Sequence, residues 1–371
     1  MKIIAFYLPQ YHQIPENDLW WGKGFTDWVN VKKARSLFKG HHQPHIPIDL
    51  GYYDLRDDDI RKRQADTARR YGVDGFCYYH YWFNDKMLLE YPFDRVLETG
   101  EPDFPFCLCW ANENWCRRWE GRDTETLITQ DDRKYNYSNH FAWLVKAFKD
   151  KRYITVNGKP IFLIYDPSSI TNISTIVNQW RKMALESGLP GIFVCSVNSH
   201  KNRYQYEKAL SLGFDATVEF HPHKMFWPRR EFKYLIVYFI PRIINRITRL
   251  FKIHINNDLT NRVIINYVKY VKNTIKKTKN IERGIVFPTL FPSWDNTSRR
   301  KNTPLIIQND DPEAFGTWLK YSMDRTSKYE EDTKIVFINA WNEWAEGCHL
   351  EPDERNGYKF LEAVASIKKV D

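Results

Sequence analysis

The 371-residue sequence lacks the patterns that mark several common classes of protein. Its six cysteines form no CxxC pair and mostly stand in apolar runs, so we interpret them as reduced core thiols rather than a zinc site or disulfide framework. No run approaches about 18 apolar residues, which argues against a membrane-spanning helix. Because the N-terminus also lacks the long apolar region and cleavage site of a signal peptide, we expect a cytoplasmic protein.

Motifs for cofactors and metals are missing as well. No GxGxxG follows a β-rich run, so nothing indicates a dinucleotide site. Histidines cluster at His41, His42 and His45 and again at His221 and His223, but neither cluster has a carboxylate at the helical spacing of HExxH. We therefore expect no metal ion and no cofactor, and we interpret His221 as a residue that binds a substrate hydroxyl.

Acidic residues are scarce in one region, and that region makes the whole protein basic. Residues 224–283 hold 15 Lys and Arg against three Asp and Glu, whereas the rest of the chain holds 40 against 43, and the net charge is +9. Residues 234–252 place Arg242, Arg246 and Arg249 at about helical spacing beside an apolar run. The pattern is typical of a helix on an anionic membrane surface, but also of a helix that packs its apolar face on the protein's own core. We expect no nucleic-acid partner.

Eight β-rich runs alternate with helical segments along the chain. They are nearly continuous apolar runs, as expected for parallel strands covered on both faces. The runs are Ile3–Tyr7, Val73–Tyr79, Phe106–Trp110, Ile161–Tyr165, Ile192–Val197, Ala216–Phe220, Ile285–Leu290 and Ile335–Ala340. The helical segments lie near 57–71, 86–99, 136–150, 171–187, 203–211, 260–277, 312–328 and 356–369. This alternation predicts an α/β fold of the (β/α)8 TIM-barrel type.

The barrel prediction treats residues 1–371 as a single catalytic domain with two long excursions. Pro9–Gly51 follows the first predicted strand, and a basic insertion at about 221–259 follows the sixth. Active sites of such barrels lie at the C-terminal ends of the strands. Both excursions leave the barrel at that same end.

Aromatic, amide and carboxylate side chains concentrate at the predicted strand ends. Aromatic rings can stack on the C–H face of a sugar ring, while amides and carboxylates bind its hydroxyl groups. Any one of these residues could instead satisfy backbone groups at the barrel rim. Taken together they predict one sugar-binding cleft lined by Tyr7, Gln10, His80, Trp82, Trp110, Asn112, Glu113, Asn114, Glu219, His221, Trp294, Asp295, Trp341, Asn342 and Trp344.

Glu343 and Glu346 follow the last predicted strand and are predicted to be catalytic. Glycoside cleavage typically needs two carboxyl groups, which retaining enzymes hold about 5–5.5 Å apart. Residues three apart on a helical turn have Cβ atoms about 5–6 Å apart, so both glutamates could face one substrate. Two close carboxylates also push their pKa values apart, which helps one of them remain a proton donor near neutral pH. The flanking Trp341 and Trp344 argue against a plain solvated face.

Four long segments carry a family resemblance, namely YLPQYHQIPEND with WWGKGFTDW, YGVDGFCYYHYWF, PFCLCWANENWCRRWEG and NAWNEWAEG. From Ile3 to about Ala365 the chain resembles the WbsX-like family, often described as glycosyltransferases of lipopolysaccharide or capsule gene clusters. That family is similar in turn to glycoside hydrolase family 99, the endo-α-mannosidases and endo-α-mannanases. The resemblance implies that Glu343 is the base that deprotonates the sugar's own 2-hydroxyl to give a 1,2-anhydro sugar. It implies that Glu346 is the general acid and then the general base for water.

We therefore expect a retaining glycoside hydrolase or transglycosylase that acts on a bacterial surface polysaccharide or its precursor. A glycosyltransferase of O-antigen or capsule assembly is the second hypothesis, although the sequence shows no nucleotide-phosphate loop and no DxD-type motif at a strand end. An inactive glycan-binding barrel is the third, and the intact glutamate pair argues against it. The expected partner is an oligosaccharide or polysaccharide, with the segment 234–252 as a candidate peripheral contact with the inner membrane. The sequence does not predict an oligomeric state.

Overall fold

The computed structural model describes residues 1–131, 135–202, 204, 206–228, 262–279, 284–301 and 303–369. Its centre is a parallel sheet whose strands follow the order of the chain. We number them β1 (Lys2–Tyr7), β2 (Gly75–Phe83), β3 (Phe106–Trp110), β4 (Lys159–Ile164), β5 (Phe193–Asn198), β6 (Ala216–Glu219), β7 (Ile285–Phe287 and Thr289–Leu290) and β8 (Ile335–Ile338). Each of the first five strands pairs in parallel with the next, and β1 also pairs with β8.

The two short pieces of β7 connect β6 to β8. Ile285–Phe287 pairs with β6, and Thr289–Leu290 pairs with β8. Pro288 between them has no N–H to donate to a ladder, but its carbonyl accepts a hydrogen bond from Phe337 N at 2.9 Å. The sheet therefore returns to its first strand, and the prediction of an α/β barrel of the (β/α)8 type is confirmed.

Helices cover the outside of the barrel and build its first excursion. In chain order they are α1 (Pro15–Trp21), α2 (Asp27–Lys33), α3 (Asp58–Arg70), α4 (Tyr91–Thr99), α5 (Tyr137–Phe148), α6 (Ile173–Glu186), α7 (Tyr206–Ser211), α8 (Tyr267–Thr278), α9 (Pro312–Thr326) and α10 (Lys359–Lys368). Side-chain caps set several of their starts. Asp57 accepts from Asp59 N at 2.9 Å before α3, and Asp311 accepts from Glu313 N at 2.9 Å before α9.

Two predicted helices begin instead as strands. Lys86–Leu88 pairs antiparallel with the end of β2, so the helix predicted at 86–99 is limited to α4. Val263–Asn266 pairs with Leu305–Gln308 before α8 begins, because its β-branched run Val-Ile-Ile suits a pleated strand. Further short strands are Trp115–Arg117, Arg122–Ile128, Thr155–Val156, Trp294–Asp295, Asn342–Glu343 and Cys348–His349.

The barrel strands are buried along both faces, as their apolar runs predicted. All nine residues of β2 are buried. At its start a Cβ on Gly75 would lie 2.8 Å from the carbonyl oxygen of Pro105, so only glycine lets these two chain segments pack so closely. No helix that the structure describes combines the length and apolar character needed to cross a bilayer. Residues 234–252, and most of the basic insertion, lie outside the described residues.

Candidate active site

A cleft of about 650 Å³ opens at the C-terminal ends of the barrel strands. Its size is within the usual range of about 300–1,000 Å³ for ligand pockets. Each of the eight strands contributes to its wall, either by residues of its C-terminal part or by the segment that follows it. Among the lining residues are Leu8, Gln10, Tyr79, Tyr81, Glu113, Asn114, Tyr165, His200, Phe220, Trp294, Asn296, Arg299, Asn339, Glu343 and Glu346.

Glu343 and Glu346 line this cleft together and share one cation, Arg299. Arg299 Nη1 lies 3.4 Å from Glu343 Oε2 and 3.3 Å from Glu346 Oε1, so the two carboxylate oxygens are separated by less than twice 3.4 Å. This upper limit only reaches the lower end of the carboxyl separations of inverting glycosidases, which are roughly 6.5–9.5 Å. The Glu343 side chain is 8% exposed and that of Glu346 is 25% exposed, so Glu343 lies deeper.

The two glutamates are presented by a tight turn rather than by a regular helix. Glu343 ends a short strand that pairs with Cys348, and Trp344–Glu346 form a single 3-10 turn. Gly347 then adopts a φ of +56°, and a Cβ there would lie 3.0 Å from the backbone N and O of Asp295. Both the left-handed conformation and the close approach require glycine, which explains why the motif ends in Gly347.

Hydrogen bonds from the β1 end hold this turn in place. Leu8 N donates to Asn342 Oδ1 at 2.7 Å, and Asn342 Nδ2 donates to the Leu8 carbonyl at 3.0 Å. The Tyr11 hydroxyl donates to the Asn342 carbonyl at 2.6 Å and accepts from Trp344 N at 3.0 Å. The position of Glu343 is therefore set by the segment that follows β1, more than 300 residues earlier.

Behind the turn, the buried carboxylate of Glu351 accepts four hydrogen bonds. Glu351 accepts hydrogen bonds from the indole nitrogens of Trp341 at 3.1 Å and Trp344 at 2.6 Å. The Tyr53 hydroxyl donates to it at 2.8 Å and Gln64 Nε2 at 2.7 Å. Burial raises the pKa of Glu351 to about 7, and the four donors oppose that rise. Glu351 fixes both tryptophans of the motif from the side opposite the cleft.

The surroundings of Glu343 shift its pKa away from that of an ordinary glutamate. Burial raises its pKa to about 8, the Arg299 guanidinium lowers it, and the neighbouring carboxylates of Glu346 and Asp27 raise it again. Asp27 on α2 is itself fully buried and paired with Arg299. Arg299 thus lies among the carboxyl groups of Asp27, Glu343 and Glu346, and protonation of Glu343 relieves the surplus negative charge around it.

An aromatic wall stands beside these charges. Trp119 lies against Phe25 with ring centroids 5.3 Å apart, and against Trp21 at 4.6 Å. The Arg299 guanidinium lies 5.5 Å from the centre of the Trp119 ring. Trp21 and Trp119 are half-buried and line the cleft, so the exposed parts of their rings can contact an apolar ligand surface.

Of the predicted binding residues, Gln10, Glu113, Asn114 and Trp294 line the cleft with the two glutamates. Gln10 Nε2 donates to the Tyr81 hydroxyl at 2.9 Å, and Glu113 is paired with Lys201. The other predicted residues do not line it. They are Tyr7, His80, Trp82, Trp110, Asn112, Glu219, His221, Asp295, Trp341, Asn342 and Trp344.

For β2 the prediction chose the wrong face of the strand. Successive side chains alternate between the inside and the outside of a barrel, and Tyr79 and Tyr81 are the pair that lines the cleft. His80 faces the helices, where its ring stacks on Trp143 at 4.6 Å, and Trp82 stacks on His140 at 4.8 Å. Burial lowers the pKa of His80 to about 3.

Other predicted residues near strand ends also point away from the cleft, towards the layer of helices around the barrel. The Tyr7 hydroxyl donates to Gln64 at 2.6 Å, and Trp110 packs beside Trp180 of α6. Glu219 is held by two hydrogen bonds of 2.8 Å from Arg325 of α9. His221 Nδ1 lies 2.7 Å from the Tyr270 hydroxyl of α8.

The remaining predicted residues form hydrogen bonds between loops. Asn112 Nδ2 donates to the Asp166 carbonyl at 2.7 Å, and Asp295 Oδ2 lies 2.6 Å from His41 Nε2. Asn342, Trp341 and Trp344 support the glutamate turn through the hydrogen bonds described above. These residues shape the site without reaching its cleft.

Sequence reasoning missed Arg299, Asp27, Tyr81 and the tryptophans of the aromatic wall. Trp21 and Asp27 lie in the WWGKGFTDW segment, where a dense aromatic run after β1 was an available signal. Arg299 stands in an ordinary polar stretch, SRRK, so nothing local distinguishes it. Its role is visible only where it meets both glutamates.

Solved structures share this barrel. One described as a glycoside hydrolase-like protein superposes with a TM-score of 0.62 at 14% identity, covering 99% of this chain and 93% of its own. The GH99 endo-alpha-mannosidase from Bacteroides thetaiotaomicron superposes with a TM-score of 0.57 at 12% identity, covering 99% and 96%. At these identities the likeness shows the fold.

Sequence relatives cover the same length of chain. The uncharacterized protein WxcX of Xanthomonas campestris pv. campestris, in two strains, is 36% identical over 363 residues, which is 98% of this chain. The chain spans about half the length of these curated relatives, 49%. Residues 3–364 match the family described as Glycosyltransferase WbsX. The chain therefore belongs to the WbsX glycosyltransferase family, a family of carbohydrate-active proteins.

Proposed function

We propose that this chain is a retaining glycoside hydrolase or transglycosylase that acts on a bacterial surface polysaccharide or its precursor. The observation that carries the proposal is the pair Glu343 and Glu346, which faces one cleft and shares Arg299. Two carboxyl groups at this separation can act on opposite sides of a glycosidic bond. The aromatic wall of Trp21 and Trp119 offers apolar ring surface that a sugar can contact.

Glu343 is assigned as the base. A raised pKa makes its carboxylate a stronger base than an ordinary glutamate, and proton transfer is most efficient when the pKa lies near the working pH. As the resemblance to glycoside hydrolase family 99 implies, it takes the proton from the substrate's 2-hydroxyl, and the oxygen O2 attacks C1 to form a 1,2-anhydro sugar. The bond between C1 and the leaving oxygen breaks as this bond forms.

Glu346 is assigned as the acid, because it lies at the more open side of the cleft, where the leaving group departs. It gives its proton to the leaving oxygen and then takes a proton from the incoming hydroxyl. That hydroxyl attacks C1, the C1–O2 bond of the anhydro sugar breaks, and Glu343 returns its proton to O2. The two inversions at C1 give net retention.

Arg299 serves both steps by electrostatics. Its guanidinium lies within 3.4 Å of both carboxylates, so it favours their ionised forms and opposes the repulsion between them. Asp27 holds Arg299 from behind and is buried. Without this cation, burial would keep Glu343 protonated over a wider pH range.

Glycosyl transfer is the second candidate, and the family description favours it. Transfer and hydrolysis differ only in whether a sugar hydroxyl or water opens the intermediate. A transferase that uses a nucleotide-activated donor is a separate case, since it needs a site for the diphosphate. The sequence offers neither a nucleotide-phosphate loop nor a DxD-type motif at a strand end.

Product analysis by NMR tests the proposal. Bacterial surface polysaccharides and their lipid-free oligosaccharides are incubated with the protein, and the anomeric configuration of the first product is read before it equilibrates. We expect retained products in water or on an added acceptor sugar. Inverted products, or turnover that requires a nucleotide sugar, would overturn the proposed chemistry.

A further inference from the structure

Three buried residues outside the cleft bring their metal-binding atoms together. His45 Nδ1 lies 2.9 Å from His349 Nε2, which lies 3.7 Å from Asp353 Oδ2. All three donor atoms lie within 4.8 Å of one another, and the residues are 6%, 2% and 4% exposed. His45 belongs to the first excursion, whereas the other two follow β8, so the sequence alone does not show the cluster.

The hydrogen bonds of His349 define which of its nitrogens is free to bind. Its Nδ1 lies 2.8 Å from the Glu351 carbonyl oxygen, which can only accept, so Nδ1 carries the ring proton. The lone pair of Nε2 therefore points at His45 and Asp353. A backbone carbonyl that orients the imidazole through its other nitrogen is the arrangement usual for metal-binding histidines.

We propose that His45, His349 and Asp353 bind a divalent transition metal ion of the zinc class. Ligand atoms placed 2.0–2.2 Å from a tetrahedral zinc lie about 3.3–3.5 Å from each other, and the observed separations of 2.9 and 3.7 Å bracket that value. Two imidazoles and one carboxylate are a donor set that suits zinc. The fourth position is open to water or to His42, whose ring centroid lies 5.5 Å from that of His45.

The site is structural, since none of its three residues lines the cleft. It joins two segments that already run together, because Ile48 N donates to the Pro352 carbonyl at 3.2 Å and Glu354 N to the Ile46 carbonyl at 2.9 Å. The His349 ring also stacks on Trp344 with centroids 3.7 Å apart. A bound ion would therefore fasten the first excursion behind the glutamate turn.

Metal content tests the proposal with no sugar substrate, so the result does not depend on the proposed function. Tag-free protein is treated with EDTA, loaded with Zn²⁺, passed through gel filtration and analysed by mass spectrometry of the metal. We expect one zinc per chain and a higher melting temperature than the EDTA-treated protein. The variants His45→Asn and Asp353→Asn should lose the ion.

His41→Asn is the matched control. His41 is a buried histidine of the same excursion, and it also contacts one carboxylate, at 2.6 Å from Asp295. It stands outside the His45, His349 and Asp353 group, so His41→Asn should keep the zinc. If the control loses the ion with the others, or if His45→Asn keeps it, the assignment fails.

X-ray absorption on the wild-type protein covers the case in which a variant does not fold. The zinc-loaded protein should show two imidazole nitrogens in the first shell, or three if His42 is the fourth ligand, and no sulfur. Wild-type protein that retains no zinc after gel filtration would mean that His45 and His349 form only a hydrogen bond. A first shell without imidazole would likewise overturn the site.

Discussion

The Trp344 indole donates a 2.6 Å hydrogen bond to Glu351, which is 4% exposed and receives three further donors. The indole nitrogens of Trp341 and Trp344 can only donate, so a side chain that presents a donor at this position leaves an indole without an acceptor. Glu351→Gln places an NH2 group against these donors. We expect a loss of about 2–4 kcal/mol in the free energy of unfolding, measured by urea denaturation. Glu354→Gln, at an exposed neighbouring position, should change it by less than about 0.5 kcal/mol.

Glu346→Gln should separate leaving-group protonation from the rest of the reaction. Turnover of natural glycosides should fall by about 10²–10⁴-fold because no acid protonates the departing oxygen. An activated aryl glycoside with a good leaving group should keep far more activity. Glu343→Gln should slow both substrates, since each needs the 2-hydroxyl deprotonated. Equal losses on both substrates in both variants would argue against separate roles.

The pH dependence of kcat/KM should report the ionisation of Glu343. As a base Glu343 works only when deprotonated, whereas Glu346 as the acid works only when protonated, so kcat/KM should be bell-shaped, and its limb near pH 8 should report Glu343. Arg299→Gln removes the cation that favours the carboxylate and should move this limb to higher pH, whereas Arg299→Lys keeps a positive charge and should move it less. A limb near pH 8 that stays in place in Arg299→Gln would show that it does not report the ionisation of Glu343.

Glu343 should also lower the free energy of unfolding at high pH. Its folded pKa of about 8 lies above the ordinary 4.5, so folding favours the protonated form, and stability is lost as pH rises from the unfolded value through 8. Glu343→Gln should therefore raise the free energy of unfolding by about 2–4 kcal/mol at pH 9 and by little at pH 5. Chemical denaturation at the two pH values measures the difference. A gain of equal size at both values would assign it to packing instead.

The basic segment 234–252 remains a prediction from the sequence. If Arg242, Arg246 and Arg249 face anionic headgroups, the protein should co-sediment with anionic liposomes at low salt and dissociate as salt screens the charges. Replacing the three arginines with Ser should weaken sedimentation and leave the circular dichroism of the barrel unchanged. Failure to sediment at low salt would leave the segment without a membrane role.

Which face of each strand lines the cleft was harder to predict than the strands themselves. The β2 sequence GFCYYHYWF is aromatic or apolar at nearly every position, so it lacks the polar contrast that would distinguish inside from outside. Its two faces therefore look alike, and His80 and Trp82 were predicted in place of Tyr79 and Tyr81. The sequence predicts Glu219 in the cleft because nothing near it reveals that it pairs with Arg325, which lies 106 residues further along the chain.

The sequence by itself determined the eight alternating units and the placement of Glu343 and Glu346 after the last strand, because apolar runs, helix caps and a short motif are local properties of the chain. Only the tertiary structure decided which charged groups meet. Arg299 reaches Glu343 across 44 residues, and His45 reaches His349 across 304, and no local pattern records either contact. Electrostatic and metal-binding properties depend on distances between side chains, and in a closed barrel those distances are set by how the strand ends converge.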